Sequence, residues 1–319
     1  MLPLDKIGLT VMTWNIYQGE DVTPIFMATP QQIPERVTEA YRQFLATNFP
    51  ERAKAIASQI ALKKPDLIGL QEAVIVELIP PNAKKVVFNF IDILLYELAK
   101  KGVRYRVAAQ NFNANVVLPA STGNLVRLID RDAILIRRDS DVEVISKQEA
   151  NFTTNLQVQI GGKTVTLLQG WSYINACIKG KKFRLINTHL QPLDLQVQVA
   201  QANELLAGPA NTNLPLILLG DFNSNAYVGL TYNNLIAAGL SDTWVVGGVG
   251  NGFTAHQDSD VLNALSTLSE RIDLILVKKN INWNVLKDEL VGEAQEDRTF
   301  TRLWPSDHAS VVSRLDLKC

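Results

Sequence analysis

Polar residues of three kinds stand beside apolar runs in this chain. Asn15 follows "GLTVMTW", Glu72 closes "LIGLQE", His189 lies in "INTHL", and Asp221 and Asn223 follow "LILLG". Asp273 is set into "RIDLILV", and Asp307 and His308 precede "ASVVS". Carboxylate and amide oxygens are ligands for hard cations such as Mg²⁺, which keeps several waters for a substrate to displace. Imidazole moves protons near neutral pH. A carboxylate between Ile272 and Leu274 is costly to bury without a partner, and His308 is a suitable one. An ion pair with Arg271 or Arg302 is the alternative for Asp273. Taken singly these features are weak, because Asp and Asn are also ordinary turn formers.

The elements that must position these groups alternate between strand and helix patterns. Residues 7–16, 67–72, 131–138, 165–178, 182–190, 214–219, 271–277 and 309–317 read as strands, with Gly220 ending the 214–219 run. Residues 49–66 read as a helix with Pro50 in its first turn and an apolar stripe of Ala53, Ile56, Ala57 and Ile60. A second helix is expected over 86–102, with Phe88, Ile91, Leu94, Leu95 and Leu98 on one face, and others over 194–207 and near 231–238. Residues 17–48 contain Pro24, Pro30 and Pro34 and a helical pattern over 34–47; they read as a surface insertion over the active face. Strands outnumber helices and hairpin turns join many of them. That favours mixed sheets packed face to face over a doubly wound parallel sheet. No boundary divides the chain, so one domain spans 1–319.

Composition limits the function. The net charge is −1, whereas proteins that grip a nucleic-acid backbone usually carry a basic footprint. Arg127, Arg131, Arg298 and Arg302 are the residues that folding would have to gather to make a local one. Cys177 and Cys319 form neither a disulfide framework nor a metal clip. The first residues show no basic segment followed by a long apolar run, so no signal peptide is expected. No apolar run reaches roughly 18 residues, so no transmembrane segment is expected. The expected form is a soluble monomer, with its compartment left open between the cytoplasm and secretion after removal of a leader. Trp171 and Tyr173 in "GWSYINA" are expected in the packed interior, and His256 in a loop.

The ordered set "MTWNI", "PDLIGLQE", "INTHL", "LLGDFNS", "RIDLIL" and "SDH" is far more specific than its parts. It resembles the endonuclease/exonuclease/phosphatase superfamily over nearly the whole chain. The resemblance implies a four-layer α/β/β/α sandwich of two mixed β-sheets with helices on both outer faces, and a site at one edge where strand ends converge. It implies Mg²⁺-dependent hydrolysis of phosphoesters, with Mn²⁺ or Ca²⁺ as substitutes. Glu72 would be the main metal ligand, Asn15 a ligand or orienter, and Asp307 a further direct or water-mediated contact. His308 would be the general base, held in its tautomer by Asp273. Asp221 would orient the water or phosphate, Asn223 would donate to a non-bridging oxygen, and His189 would contact the phosphate or the leaving oxygen. A small or lipid-derived phosphoester is the expected substrate, with DNA or RNA as the alternative. A catalytically silent relative would have lost Glu72, Asp221 or His308, and all are present.

Overall fold

The computed structural model describes residues 7–279 and 283–317. Cys319 and residues 1–6, which entered the reading of cysteines and leader, lie outside them. The chain runs β1 (Ile7–Asn15), α1 (Thr23–Phe26), α2 (Ile33–Ala46), α3 (Phe49–Lys63), β2 (Leu67–Gln71), β3 (Ile75–Ile79), β4 (Val86–Asn89) and α4 (Phe90–Lys100). The strands β5 (Tyr105–Pro119), β6 (Leu125–Arg137), β7 (Val142–Asn151), β8 (Leu156–Ile160), β9 (Lys163–Leu167), β10 (Gly170–Ile178) and β11 (Lys181–His189) follow. Then come α5 (Leu195–Ala207), β12 (Leu216–Asp221), α6 (Leu230–Ala237), β13 (Leu240–Asp242), α7 (Thr243–Gly247), β14 (Asp273–Lys278), β15 (Trp283–Val291) and β16 (Ser310–Leu317).

Two mixed sheets carry the fold. One has the order β15-β16-β1-β2-β6-β3-β4, with β5 also paired to β6, and the other β13-β14-β12-β11-β10-β7. Their inner faces meet in a core of Val11, Leu67, Ile134, Ile174, Leu185 and Ile217, among others. The outer face of the first sheet is covered by α3 and α4 through Ile56, Ile60, Leu94 and Leu98. The outer face of the second is covered by α5 and α6 through Leu205 and Leu235. The result is the α/β/β/α sandwich. Each fully buried aliphatic or aromatic side chain in these layers contributes about 1.5–3 kcal/mol relative to exposure.

Sequence explains the elements locally. In α3 the stripe Ala53, Ile56, Ala57 and Ile60 is fully buried, Pro50 sits in the first turn, and Lys64 ends the helix in a left-handed conformation. Asp194 caps α5, its carboxylate accepting from the backbone N–H of Gln196 and Val197. Several boundaries depart from the sequence reading. Residues 86–89 are strand, not helix, because Val86, Val87 and Phe88 pair with β3; the helix starts at Phe90. The run 165–178 is split between β9 and β10. β12 passes through Gly220 and ends at Asp221. At Gly220 a β-carbon would lie 2.0 Å from the Thr188 carbonyl oxygen, so only glycine lets the strand continue beside β11.

The register between the sheets is pinned by one buried polar bridge. Asn187 accepts from Gln71 Nε2 at 2.6 Å and donates to the carbonyls of Leu70 at 3.0 Å and Ala133 at 3.2 Å. A β-carbon on Gly69 would meet Leu219 Cδ1 at 2.1 Å and Asn187 Oδ1 at 2.5 Å. Glycine at 69 therefore allows the two sheets to approach just below the reactive edge.

Candidate active site

Register decides which polar residues meet. β1 and β2 are parallel, with Asn15 opposite Gln71, so Asn15 and Glu72 leave their strands together. β11 and β12 are parallel, with His189 opposite Asp221, and β14 is antiparallel to β12, with Asp273 opposite Asp221. Strand ends from both sheets thus open on one edge, the position where open α/β sheets commonly hold their ligands.

Asn15 donates to Glu72 Oε1 at 2.9 Å and to Asp221 Oδ2 at 3.0 Å, while its own oxygen accepts from Tyr17 N at 3.0 Å. Glu72, in a left-handed backbone conformation, accepts from Gln18 N at 2.7 Å through its other oxygen. Each Glu72 oxygen keeps a free lone pair. His308 Nδ1 lies 2.8 Å from Asp273 Oδ2, and its Nε2 lies 3.9 Å from Asp307 Oδ1. Asp273 thus has His308 as its partner; Arg271 is turned instead to Asp242, at 2.5 Å. His189 Nε2 is 3.6 Å from Asp221 Oδ2, and its Nδ1, 4.0 Å from Asp132 Oδ1, has no hydrogen-bond partner among the described residues. Asn223, also left-handed, donates from its side chain to Leu190 O at 2.9 Å and from its backbone to Asp221 Oδ1 at 2.9 Å. All eight residues singled out in the sequence lie at this edge, and all but Asn15 and Asp273 line one cavity of about 450 Å³.

The charges there are unbalanced. Burial disfavours imidazolium at His308, but Asp273, Asp307 and Asp221 outweigh it and hold the ring well above the ordinary histidine range. His189 is raised too: Asp221, Asp132, Glu72 and Asp130 outweigh the effect of burial. Burial, with Glu72 and Asp221 adding to it, pushes Asp307 up to about 7 against the pull of His308 and Arg52. Among the described residues no lysine or arginine lines the cavity. Hard oxygen donors with no lysine or arginine in the cavity wall to face them, among the described residues, suit a divalent metal ion. Ligand atoms of Asp221, Asp273 and His308 lie within 4.8 Å of one another, but Asp273 and His308 already satisfy each other. Glu72 and Asp307 are the better-placed donors, and the residues present fit Mg²⁺.

Sequence reasoning missed several supports. Arg52 is completely buried in α3 and donates to the carbonyls of Thr47 (2.9 Å), Ile16 (2.8 Å), Pro305 (3.0 Å) and Tyr17 (3.0 Å). It ties the chain leaving β1 to the loop that carries Asp307. Ser306 donates to Asn15 O at 2.7 Å and accepts from His308 N at 3.1 Å, and Trp14 Nε1 donates to His308 O at 3.1 Å. Behind His189, Asp130 and Asp132 project from one face of β6 and are bridged by Asn113, at 3.1 and 2.8 Å. Their spacing of two residues in an apolar strand was the available signal. None of the four arginines singled out in the sequence lines the cavity; Arg302 is exposed, and the other three are engaged elsewhere. Arg127 binds Asn115 and Glu77, the buried Arg131 binds Ala73 O and Asn89, and Arg298 lies over Trp304. His256 is exposed in a loop and Trp171 is buried, but Tyr173 is only half-buried, because its hydroxyl donates to Gln148 at the surface.

No curated protein matches the chain. Solved structures with the same fold include an endonuclease/exonuclease/phosphatase family protein from Bacteroides thetaiotaomicron, at 19% identity and TM-score 0.64, covering 99% of this chain and 97% of that one. A humanized D. rerio TDP2 aligns at 17% identity and TM-score 0.59, covering 97% and 98%. A mannosyl-6-phosphatase from B. thetaiotaomicron aligns at 19% identity and TM-score 0.55, covering 96% and 99%. The family model described as "Endonuclease/Exonuclease/phosphatase family" matches residues 12–308, so the chain belongs to that family.

Proposed function

We propose that this protein is an Mg²⁺-dependent hydrolase of phosphoesters, acting as a phosphodiesterase or phosphatase on a small or lipid-derived substrate. The observation that carries the reading is the buried His308–Asp273 pair, at 2.8 Å, opening onto a carboxylate-rich cavity. In its neutral form, which a divalent cation at Glu72 and Asp307 would favour by offsetting the carboxylates that raise the ring, His308 takes a proton at Nε2 from the attacking water, and Asp273 holds the ring and its charge from the Nδ1 side. The water oxygen bonds to phosphorus as the bond from phosphorus to the leaving oxygen breaks. His189 Nε2, on the opposite sheet, returns a proton to that oxygen. Asp221 orients the water or the phosphate, and Asn223 donates its remaining amide hydrogen to a non-bridging oxygen. Glu72 and Asp307 would hold Mg²⁺, with Mn²⁺ or Ca²⁺ as substitutes, and the ion supplies neutralisation of the developing charge. Asn15, whose amide nitrogen faces both carboxylates, fits the orienting role better than a ligand role.

The lack of lysine and arginine in the cavity wall, among the described residues, supports a small substrate over a nucleic acid. Bis-p-nitrophenyl phosphate is the first test, with and without EDTA. Turnover is expected to vanish on chelation and return with Mg²⁺, and Glu72→Gln is expected to abolish it while leaving the circular dichroism spectrum unchanged. Wild-type activity in Glu72→Gln, with the same Mg²⁺ dependence, would sink the ligand assignment. Plasmid nicking at catalytic enzyme concentrations, steeply suppressed by salt, would make the protein a nuclease.

A further inference from the structure

The cavity extends well beyond the reactive groups. Its volume of about 450 Å³ falls within the range of small-molecule sites, and most of its wall lies away from the histidines. One wall is the β5–β6 hairpin. Alternation along the strands turns Ala114, Val116 and Leu118 inward and leaves Asn115, Val117 and Pro119 exposed. On β6 the same alternation turns Val126 and Leu128 to the cavity. The opposite wall is residues 23–46, which present Ile25 and Phe26 from α1 and Val37 and Ala40 from α2. The β8–β9 hairpin closes one side with Ile160 and Leu167. Around this part of the cavity Ile25, Val37 and Ile160 are buried together in a cluster with Phe26, Leu118 and Val126 packed against it. The segment 17–48 is therefore the roof of a chamber whose other end is the reactive edge.

We propose that this chamber binds an unbranched alkyl or acyl chain of the substrate. The chain would lie along β5–β6 beneath α1 and α2, with the phosphoester between His308 and His189. Gln18, Gln169, Gln191 and Gln257 also line the cavity, but the part walled by Val116, Leu118, Leu128 and Phe26 offers no such polar partners among the described residues, and a sugar, inositol or nucleobase buried there would leave its polar groups unsatisfied. A second phosphate would face Glu20, Asp21 and Asp130 with no basic side chain in the wall, among the described residues, to offset it. An aliphatic chain meets neither cost and gains from the apolar area it covers. The inference rests on the phosphoester-hydrolase reading above for the position of the phosphate, but the chamber is tested separately.

The experiment uses p-nitrophenyl alkyl phosphodiesters with methyl, butyl and octyl groups, below their critical micelle concentrations and at fixed free Mg²⁺. Burying a methylene corresponds to roughly a fourfold gain in affinity, so kcat/KM is expected to rise at least 50-fold from methyl to octyl. Leu128→Trp and Ala40→Trp fill the chamber from opposite walls. Each is expected to flatten the series while leaving methyl diester turnover within about twofold; the two variants guard against one that fails to fold. Binding of the neutral fluorophore N-undecyl dansylamide in EDTA is measured in parallel. One-to-one binding that weakens at least tenfold in both variants supports the chamber even if no diester turns over, in which case only the hydrolase reading fails. A flat wild-type series with good methyl diester turnover overturns the chain site and leaves the hydrolase standing. No turnover together with no saturable probe binding overturns both.

Discussion

His308 and His189 reach the same cavity from opposite sheets, both buried and both ringed by carboxylates, yet they are held differently. His308 sits 2.8 Å from Asp273, and its backbone is tied by Ser306 and Trp14. His189 has carboxylates at 3.6 and 4.0 Å and no partner at Nδ1 among the described residues. A hydrogen bond fixes a tautomer, whereas nearby charge only raises a pKa. The geometry thus leaves Nε2 of His308 as the nitrogen that receives a proton once the ring is neutral. His189 stays oriented by packing and charged by its surroundings, which suits a donor or an anion contact.

Breaking the tight pair should have the largest effect. His308→Ala and Asp273→Asn are each expected to lower kcat by about 10²- to 10⁴-fold, the usual range for a general base. The double mutant should fall little below the worse single mutant, since the two act as a unit. A double mutant showing the full product of the two losses would refute the pairing. The looser histidine should reveal itself through the leaving group. His189→Gln is expected to cost about tenfold or less with a p-nitrophenolate leaving group, which needs no proton. With an alkyl alcohol leaving group the cost should exceed about a hundredfold. Equal losses on both substrates would reduce His189 to a phosphate contact.

A smaller effect concerns the acids behind His189. Burial and the neighbouring Asp132 push Asp130 up to about 7. The folded protein therefore holds a proton that the unfolded chain releases near pH 4, and the wild type loses stability as pH rises from about 4 to 7. Asp130→Asn removes that loss. In EDTA it should be more stable than wild type by up to about 4 kcal/mol at pH 8, and the gain should vanish toward pH 4. Urea melts at both pH values check this, and a gain independent of pH would place the effect elsewhere. The smallest effect is expected at the third histidine. His256→Ala should leave rate and stability unchanged within about 0.5 kcal/mol, as for most exposed positions. A measurable rate loss would mean that the exposed 256 loop reaches the substrate.

Much of the site was legible because strand-end chemistry is local. A polar residue directly after an apolar run, as at Asn15, Glu72 and Asp221, marks a strand end whatever the topology. The outer helix α3 was legible through its apolar stripe and the proline in its first turn. The run 86–102 was not, because Phe88 satisfies a helical stripe and a strand pairing equally well, and only its pairing with Val76 decides. The long β5 carries a polar run, "QNFNAN", that hides its strand character, since the polar residues either face solvent or pair with Asp130 and Asp132.

By itself the sequence determined the inventory of reactive groups, their order along the strands, and the family in which that order belongs. The tertiary structure alone decided which carboxylate holds which histidine. Asp273 meets His308 because β14 runs antiparallel to β12 while β16 runs antiparallel to β1, registers set by side chains far apart in the chain. It also decided that Arg127, Arg131 and Arg298 stay out of the cavity wall and that residues 23–46 roof an apolar chamber. Those outcomes depend on long-range packing, in which each partner is chosen by the fit of the whole sheet rather than by its neighbours in sequence.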